Sequence, residues 1–258
     1  MSFLINPHAF GGASFSPDQI SGLTFWIDPD NAGTVTLSGS DYDTIADQAS
    51  PDHGLTTVSP SVSRPAQVTS GGREWMQLVF ANRDSMVTSG KTDSSYQHGS
   101  SSFAIFVVVK TTSSTTNKVV LQKGGSAARY RISINASASG DVRGVISDGT
   151  NTVTITSPAV SINDGNPHLI ALIRNNTSSH VRVMVDGVDV TGSPASVGSV
   201  GNIDESSFQL MVGASPSAST TANEWDGEIG EILMYHHELT SGELADVLAY
   251  YQSKWGVA

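Results

Sequence analysis

The chain has 258 residues, 38% of them apolar and 14% charged, with 24 Asp plus Glu against 13 Lys plus Arg and a formal net charge of −11. That length suits one large all-β unit, the charged fraction is well under the roughly 25% of ordinary globular domains, and the acid excess argues against nucleic acid as a partner because no basic stripe can track phosphates. Cysteine is absent, which excludes a disulfide framework and thiolate metal sites and favours a reducing compartment of assembly.

Residues 1–22 read as an N-terminal arm. Phe3, Leu4, Ile5 and Phe10 are apolar, whereas Pro7, Gly11, Gly12 and Pro17 interrupt any regular period. A frayed terminus is one reading. The other is an apolar arm that lies on its own domain or on a partner, with Phe3, Leu4, Ile5 and Phe10 as the docking side chains. The first residues have neither the basic stretch nor the apolar length of a secretory signal peptide, and no run approaches membrane-spanning length, so no membrane partner is expected.

Residues 23–258 are expected to form one domain. It opens on Leu23-Thr24-Phe25-Trp26-Ile27-Asp28, a strand that resembles the Leu-x-Leu-Trp-Leu-Asp opening of the laminin-G-like jelly rolls found in many phage structural proteins. Residues 29–72, rich in Ser, Asp and Pro, read as loop, with Asp47-Gln48-Ala49-Ser50 where that family often shows Asp-Gln-Ser-Gly. Strand signals return at 75–80 and 86–88, then at 103–110, 118–122, 130–135, 142–147 and 152–156, each bounded by Gly, Ser, Asn or Asp. Ile105-Phe106-Val107-Val108-Val109 is apolar without alternation, so that strand should be central and covered on both faces.

Asn163-Asp164-Gly165-Asn166-Pro167 is a turn cluster, followed by the apolar run His168-Leu169-Ile170-Ala171-Leu172-Ile173-Arg174. After a polar break, Val181, Val183 and Val185 alternate with His180, Arg182 and Met184, which predicts a hairpin with one inward face. Asp186-Gly187 should then reverse the chain into Val188. The order resembles the centre of laminin-G-like domains, in which Asp164, Gly165, His168 and Ala171 match and Pro167 replaces the usual Trp. The closing run, Gly213-Ala214, a loop, then Gly227, Ile229, Glu231, Ile232 and Tyr235, matches the end of the same family. A helix over 241–255 follows: Thr240 with Glu243 forms a capping box, and Leu244, Val247, Leu248 and Tyr251 make one apolar face.

The resemblance implies an all-β, concanavalin A-like (laminin-G-like) jelly-roll β-sandwich with an extended N-terminal arm and a short C-terminal helix. It also implies two uses. The first is a non-enzymatic virion structural protein of a tailed phage, a capsid decoration, head-fibre or tail-fibre subunit assembled in the host cytoplasm. Its arm would hold major capsid or tail proteins, and the subunit would be a homo-oligomer; a trimer suits either phage role, although nothing in the sequence counts subunits. The second is a carbohydrate-binding adhesion module for host-surface glycans, with Trp75 and Trp225 as the aromatic side chains expected to face sugar.

A glycoside hydrolase is the third reading, because Asp226, Glu228 and Glu231 share one strand. Their identities do not fit the Glu-x-Asp-x-Glu order of sandwich glycosidases, and no convincing facing pair emerges. His236 and His237 are adjacent on a strand end and point to opposite faces, which disfavours a shared metal. His168 fits a packing role. No cofactor is expected, with calcium on loop carboxylates as the one candidate: Asp28-Pro29-Asp30-Asn31-Ala32-Gly33 imitates the start of an EF-hand, but Ala32 and Gly39 occupy ligand positions.

Overall fold

The structure, a computed structural model, describes residues 15–57, 64–125, 128–176, 180–191, 195–196, 200–216 and 223–257. Strands run in the order β1 (Leu23–Ile27), β2 (Val35–Ser38), β3 (Asp41–Ile45), β4 (Leu55–Thr57), β5 (Ala66–Ser70), β6 (Arg73–Leu78), β7 (Met86–Thr88), β8 (Phe103–Lys110) and β9 (Lys118–Lys123). They continue with β10 (Ala128–Ile134), β11 (Val142–Asp148), β12 (Thr152–Thr156), β13 (His168–Asn175), β14 (His180–Val185), β15 (Val188–Asp189), β16 (Ala195–Ser196), β17 (Leu210–Val212) and β18 (Gly227–Tyr235), and helix α1 (Ser241–Trp255) closes the chain.

All the pairings are antiparallel, and they form two layers. In the first, β18 is flanked on one side by β6 and β1 and on the other by β8, after which come β13 and β14. In the second, β12, β11, β10, β9, β17, β7, β4, β3 and β2 follow one another. Strand β5 pairs with β6 and touches β3 through Asp41 and Ala66, joining the layers at one edge.

Alternation along each strand decides which side chains go where. Ile105, Val107 and Val109 of β8 and Ile170 and Leu172 of β13 meet Ile132, Ile134 and Leu121 of the second layer in the inner core. The intervening Ala104, Phe106, Val108, Leu169, Ala171 and Ile173 face the other way, onto Val247, Tyr251 and Trp255 of α1. The unbroken apolar run of β8 is therefore covered on both faces, as its lack of alternation predicts. The hairpin forms in the expected register, with Val181, Val183 and Val185 in the inner core, and Asp186 and Gly187 take φ of +48° and +74° to turn the chain into β15.

Two expectations need adjusting. Residues 29–72 are not all loop: β2, β3, β4 and β5 lie there, short and rich in Ser and Thr, with only Tyr42, Ile45 and Leu55 of these strands buried. So few inward side chains leave little hydrophobic period for a sequence reading to detect. The end of the arm lies on its own domain, since Ile20 is buried in the outer core and the Phe15 ring meets Tyr250 edge-on at 6.2 Å. Phe3, Leu4, Ile5 and Phe10 lie outside the described residues.

Candidate functional site

The register of three strands builds a polar ladder. Glu228 of β18 stands opposite Gln77 of β6 on one side and Lys110 of β8 on the other. Residues paired in this way share a face. The next rung, Met76, Ile229 and Val109, points into the inner core, so the ladder faces outward.

Beside it lies a groove of about 360 Å³ lined by Gln77, Lys110, Thr111, Thr112, Asp226 and Glu228, and a neighbouring hollow of about 470 Å³ bordered by Ser70, Arg73, Trp75, Asn166, Lys254 and Trp255. Lys110 belongs to both. Its Nζ donates to Glu228 Oε2 at 2.8 Å and to Ser70 Oγ at 2.9 Å, and lies 5.9 Å from the Trp75 ring centre. Asp226 is held at the mouth: its Oδ1 accepts from the Phe80 amide at 3.3 Å, and its carbonyl accepts from Thr111 Oγ1 at 2.5 Å. Gly227 passes so close to β8 that a Cβ would sit 2.5 Å from the Lys110 carbonyl oxygen, which explains glycine there.

Chemically the groove offers carboxylate and amide acceptors next to ammonium and hydroxyl donors. Groups of both senses at this spacing suit vicinal hydroxyls, each of which donates and accepts. Asp226 and Glu228 both border the groove, whereas Glu231 does not. A register shift between Ile229 and Ile232 turns Glu231 away from the groove, and it lies fully buried. There it accepts from Trp26 Nε1 and Tyr250 Oη, each at 2.6 Å, and from Trp255 Nε1 at 2.8 Å, with Lys254 Nζ at 3.2 Å. Burial pushes the Glu231 pKa up, and Lys254 opposes that shift.

The tryptophans expected to face sugar are elsewhere. Trp225 is 0% exposed in the inner core, and Trp75 is 2% exposed, packed edge-on against Trp255 at 4.6 Å between ring centres. Trp75 borders the larger hollow only by its rim, and its Nε1 already donates to the Ser70 carbonyl at 3.1 Å. Burial of a large indole outweighs its display here, and the alternation that buries each is visible only once the pairing is known. Gln77, which the ladder brings forward, carries no sequence signal at all.

The histidines serve the framework. His168 Nδ1 lies 2.7 Å from Asp186 Oδ2 and Nε2 lies 3.1 Å from Asp164 Oδ1, latching the hairpin to its entry turn. The Asp186 hydrogen bond is the main cause of the raised His168 pKa. His236 packs on His98, whereas His237 lies 3.6 Å from Glu243, so the adjacent pair diverges as expected. In the EF-hand-like stretch, Asp28 Oδ2 accepts from Lys254 Nζ at 2.6 Å and Asp30 Oδ2 from Arg73 at 2.9 Å, so protein cations already occupy these carboxylates. Among the described residues no cluster of His, Asp and Glu has metal-ligand geometry, and no helix is long and apolar enough to cross a membrane.

A family model described as the concanavalin A-like lectin/glucanases superfamily matches residues 81–245, well over half of the chain. No curated protein matches significantly. Among solved structures, domain 4 of AbnA, a GH43 extracellular arabinanase from Geobacillus stearothermophilus in complex with arabinotriose, is 14% identical, with a TM-score of 0.62 over 88% of this chain and 98% of that one. The binding domain of Botulinum neurotoxin serotype G is 11% identical, with a TM-score of 0.62 over 91% of this chain and 54% of that one. A Trypanosoma rangeli sialidase is 14% identical, with a TM-score of 0.61 over 95% of this chain and 34% of that one. At these identities the likeness is one of fold.

Proposed function

The chain belongs to the concanavalin A-like lectin/glucanase superfamily, and from that premise we propose that it is a carbohydrate-binding module whose ligand lies across Gln77, Glu228 and Lys110. The observation that carries this reading is the ladder: one strand register sets an amide, a carboxylate and an ammonium side by side, facing outward beside a groove of about 360 Å³. That volume falls within the ~300–1,000 Å³ typical of small-molecule sites. The module is non-catalytic in this reading. Of the three acids in the closing run, Glu228 is ion-paired with Lys110 at 2.8 Å, Asp226 accepts from the Phe80 amide and Glu231 is sealed under α1, so each already has a structural partner, unlike the acid and nucleophile or base that glycoside hydrolysis uses. Calcium has no part in it.

Calorimetric titration of the whole chain with neutral pentose and hexose oligosaccharides, in calcium and in chelator, tests the proposal. At least one series should bind equally in both, and Lys110→Met with Glu228→Gln should weaken it by roughly tenfold or more. An array of neutral glycans without signal, or binding indifferent to those substitutions, would contradict it.

A second reading places the same module on a phage particle, in contact with major capsid or tail proteins. Its supports are the opening run at residues 23–28, the apolar Phe3, Leu4, Ile5 and Phe10, and the way Phe15 and Ile20 pin the following chain to the outer core. Such a segment would hold a partner surface through its apolar side chains. The two roles are compatible on one protein. Deleting residues 2–14 should leave the module folded, because Phe15 is kept, yet abolish its incorporation into particles; full incorporation would sink this reading.

A further inference from the structure

The hollow beside the groove is assembled where several elements begin and end. The hairpin of β5 and β6 supplies Ser70 and Arg73, the turn into β13 supplies Asn166 and Pro167, and the C-terminal end of α1 supplies Lys254 and Trp255. Lys110 and Gly165 border both the hollow and the groove, so one extended ligand can occupy the two together.

The wall of the hollow is rich in donors. Arg73 donates through Nε to the Lys254 carbonyl at 3.0 Å and through Nη1 to Asp30 Oδ2 at 2.9 Å, and its Nη2 takes part in neither bond. The Arg73 side chain is 40% exposed, so a ligand can reach it. Lys110 Nζ gives hydrogens to Glu228 and Ser70, and an ammonium carries one more. Acceptors at the same wall are engaged: Ser70 Oγ by Lys110, the Ser70 carbonyl by Trp75 Nε1 and the Lys254 carbonyl by Arg73. A hydroxyl, which both donates and accepts, is therefore served less fully here than in the groove.

Charge and shape narrow the ligand further. Each cation at the hollow has its own carboxylate, Arg73 with Asp30 at 2.9 Å, Lys110 with Glu228 at 2.8 Å and Lys254 with Asp28 at 2.6 Å. The chain as a whole carries a net charge of −11. Donors in surplus without positive charge in surplus suit a neutral acceptor better than an anion. Trp75 and Trp255, whose rings meet edge-on at 4.6 Å, reach the hollow by their rims, beside Pro167. These rims offer an apolar neighbour for a methyl group.

We propose that the hollow is a subsite for the acetamido group of an N-acetylhexosamine. The carbonyl oxygen accepts from the Arg73 guanidinium, the methyl lies on the tryptophan rims, and the sugar chain continues past Lys110 into the groove. An acetyl group sets an acceptor and a methyl on one carbon, which is the pairing of needs that this wall presents. That the ligand is a sugar rests on the carbohydrate-binding reading above.

The test is titration of the whole chain with pairs of sugars that differ by acetamido against hydroxyl: chitotriose against cellotriose, and N-acetyllactosamine against lactose. In at least one pair the acetamido member should bind about tenfold tighter or more, and an oligogalacturonate should bind more weakly than that member. Arg73→Gln should bring the two members of the pair close to equal. Should Arg73→Gln fail to fold, saturation-transfer NMR on the parent chain carries the test, with the acetyl methyl expected to show the strongest enhancement. The proposal is overturned if the members of every pair bind equally, if the oligogalacturonate binds tightest, if folded Arg73→Gln keeps the full preference, or if the acetyl methyl receives little saturation. Equal binding that Lys110→Met with Glu228→Gln abolishes would reject the acetamido subsite and leave the groove standing. Should no member of any pair bind, the subsite is likewise rejected, and pentose oligosaccharides then decide the groove by themselves.

Discussion

His98 and Asp47 are two buried titratable groups that pull the stability of the fold in opposite directions with pH. The His98 ring stacks on Phe103 at 4.6 Å and is 1% exposed, and burial, then His236 and Arg174, lower its pKa from 6.5 to about 3. Asp47 is fully buried, where its Oδ1 accepts from the Trp26 amide at 2.8 Å and the Ala49 amide at 2.9 Å. Burial outweighs those bonds and raises its pKa from 3.8 to about 6. As pH falls below 6.5 the unfolded chain protonates His98 and the native one does not, so stability is lost on acidification. Asp47 does the reverse: the native state keeps its proton up to about pH 6 and the unfolded state only to 3.8, so its contribution is present in acid and lost as pH rises through that window.

Between about pH 4 and 6 each slope approaches ~1.4 kcal/mol per pH unit, and the two nearly cancel. Denaturant titration of single variants separates them. Asp47→Asn should lose stability steadily on acidification, and His98→Phe should gain it. Parallel profiles for parent and both variants would contradict these assignments.

At the scale of the element, α1 shows what a sequence discloses and what it hides. Its cap is local: Thr240 Oγ1 accepts from the Glu243 amide at 3.3 Å and Glu243 Oε2 accepts from the Thr240 amide at 2.8 Å, the reciprocal pair that the spacing of the two residues predicts. Its anchor is not local, because the partners of Glu231 come from positions 26, 250, 254 and 255 and meet only when β1, β18 and α1 pack together. Thr240→Ala should therefore cost about 1 kcal/mol in chemical unfolding, whereas Glu231→Ala, which strips three donors and a buried cation of their acceptor, should cost roughly 3–5 kcal/mol. Equal costs would mean that the buried network contributes little. The same distinction explains why β8, with its unbroken apolar run, and β12 and the hairpin of β13 and β14, with their own turns, are legible, while β2 to β5, with few inward side chains, are not.

At the scale of the whole molecule, the sandwich is legible because its opening strand, central hairpin and closing strand are sequence motifs in themselves. The groove is not, because it exists only through register: Gln77, Lys110 and Glu228 are separated by long stretches of chain and become neighbours when β6 and β8 pair with the two edges of β18. Trp75 and Trp225 were the aromatics a sequence would offer to a sugar, and the fold needs both inside. The outer face of the first layer thereby acquires its own chemistry, a groove of mixed acid and base.

The most direct measurement is a backbone amide NMR titration of the whole chain with the neutral oligosaccharide that binds. Shift changes should concentrate at residues 77–79, 110–113 and 226–228, around the ladder. Perturbations centred elsewhere, or none at saturating sugar, would contradict the groove as the site of carbohydrate binding.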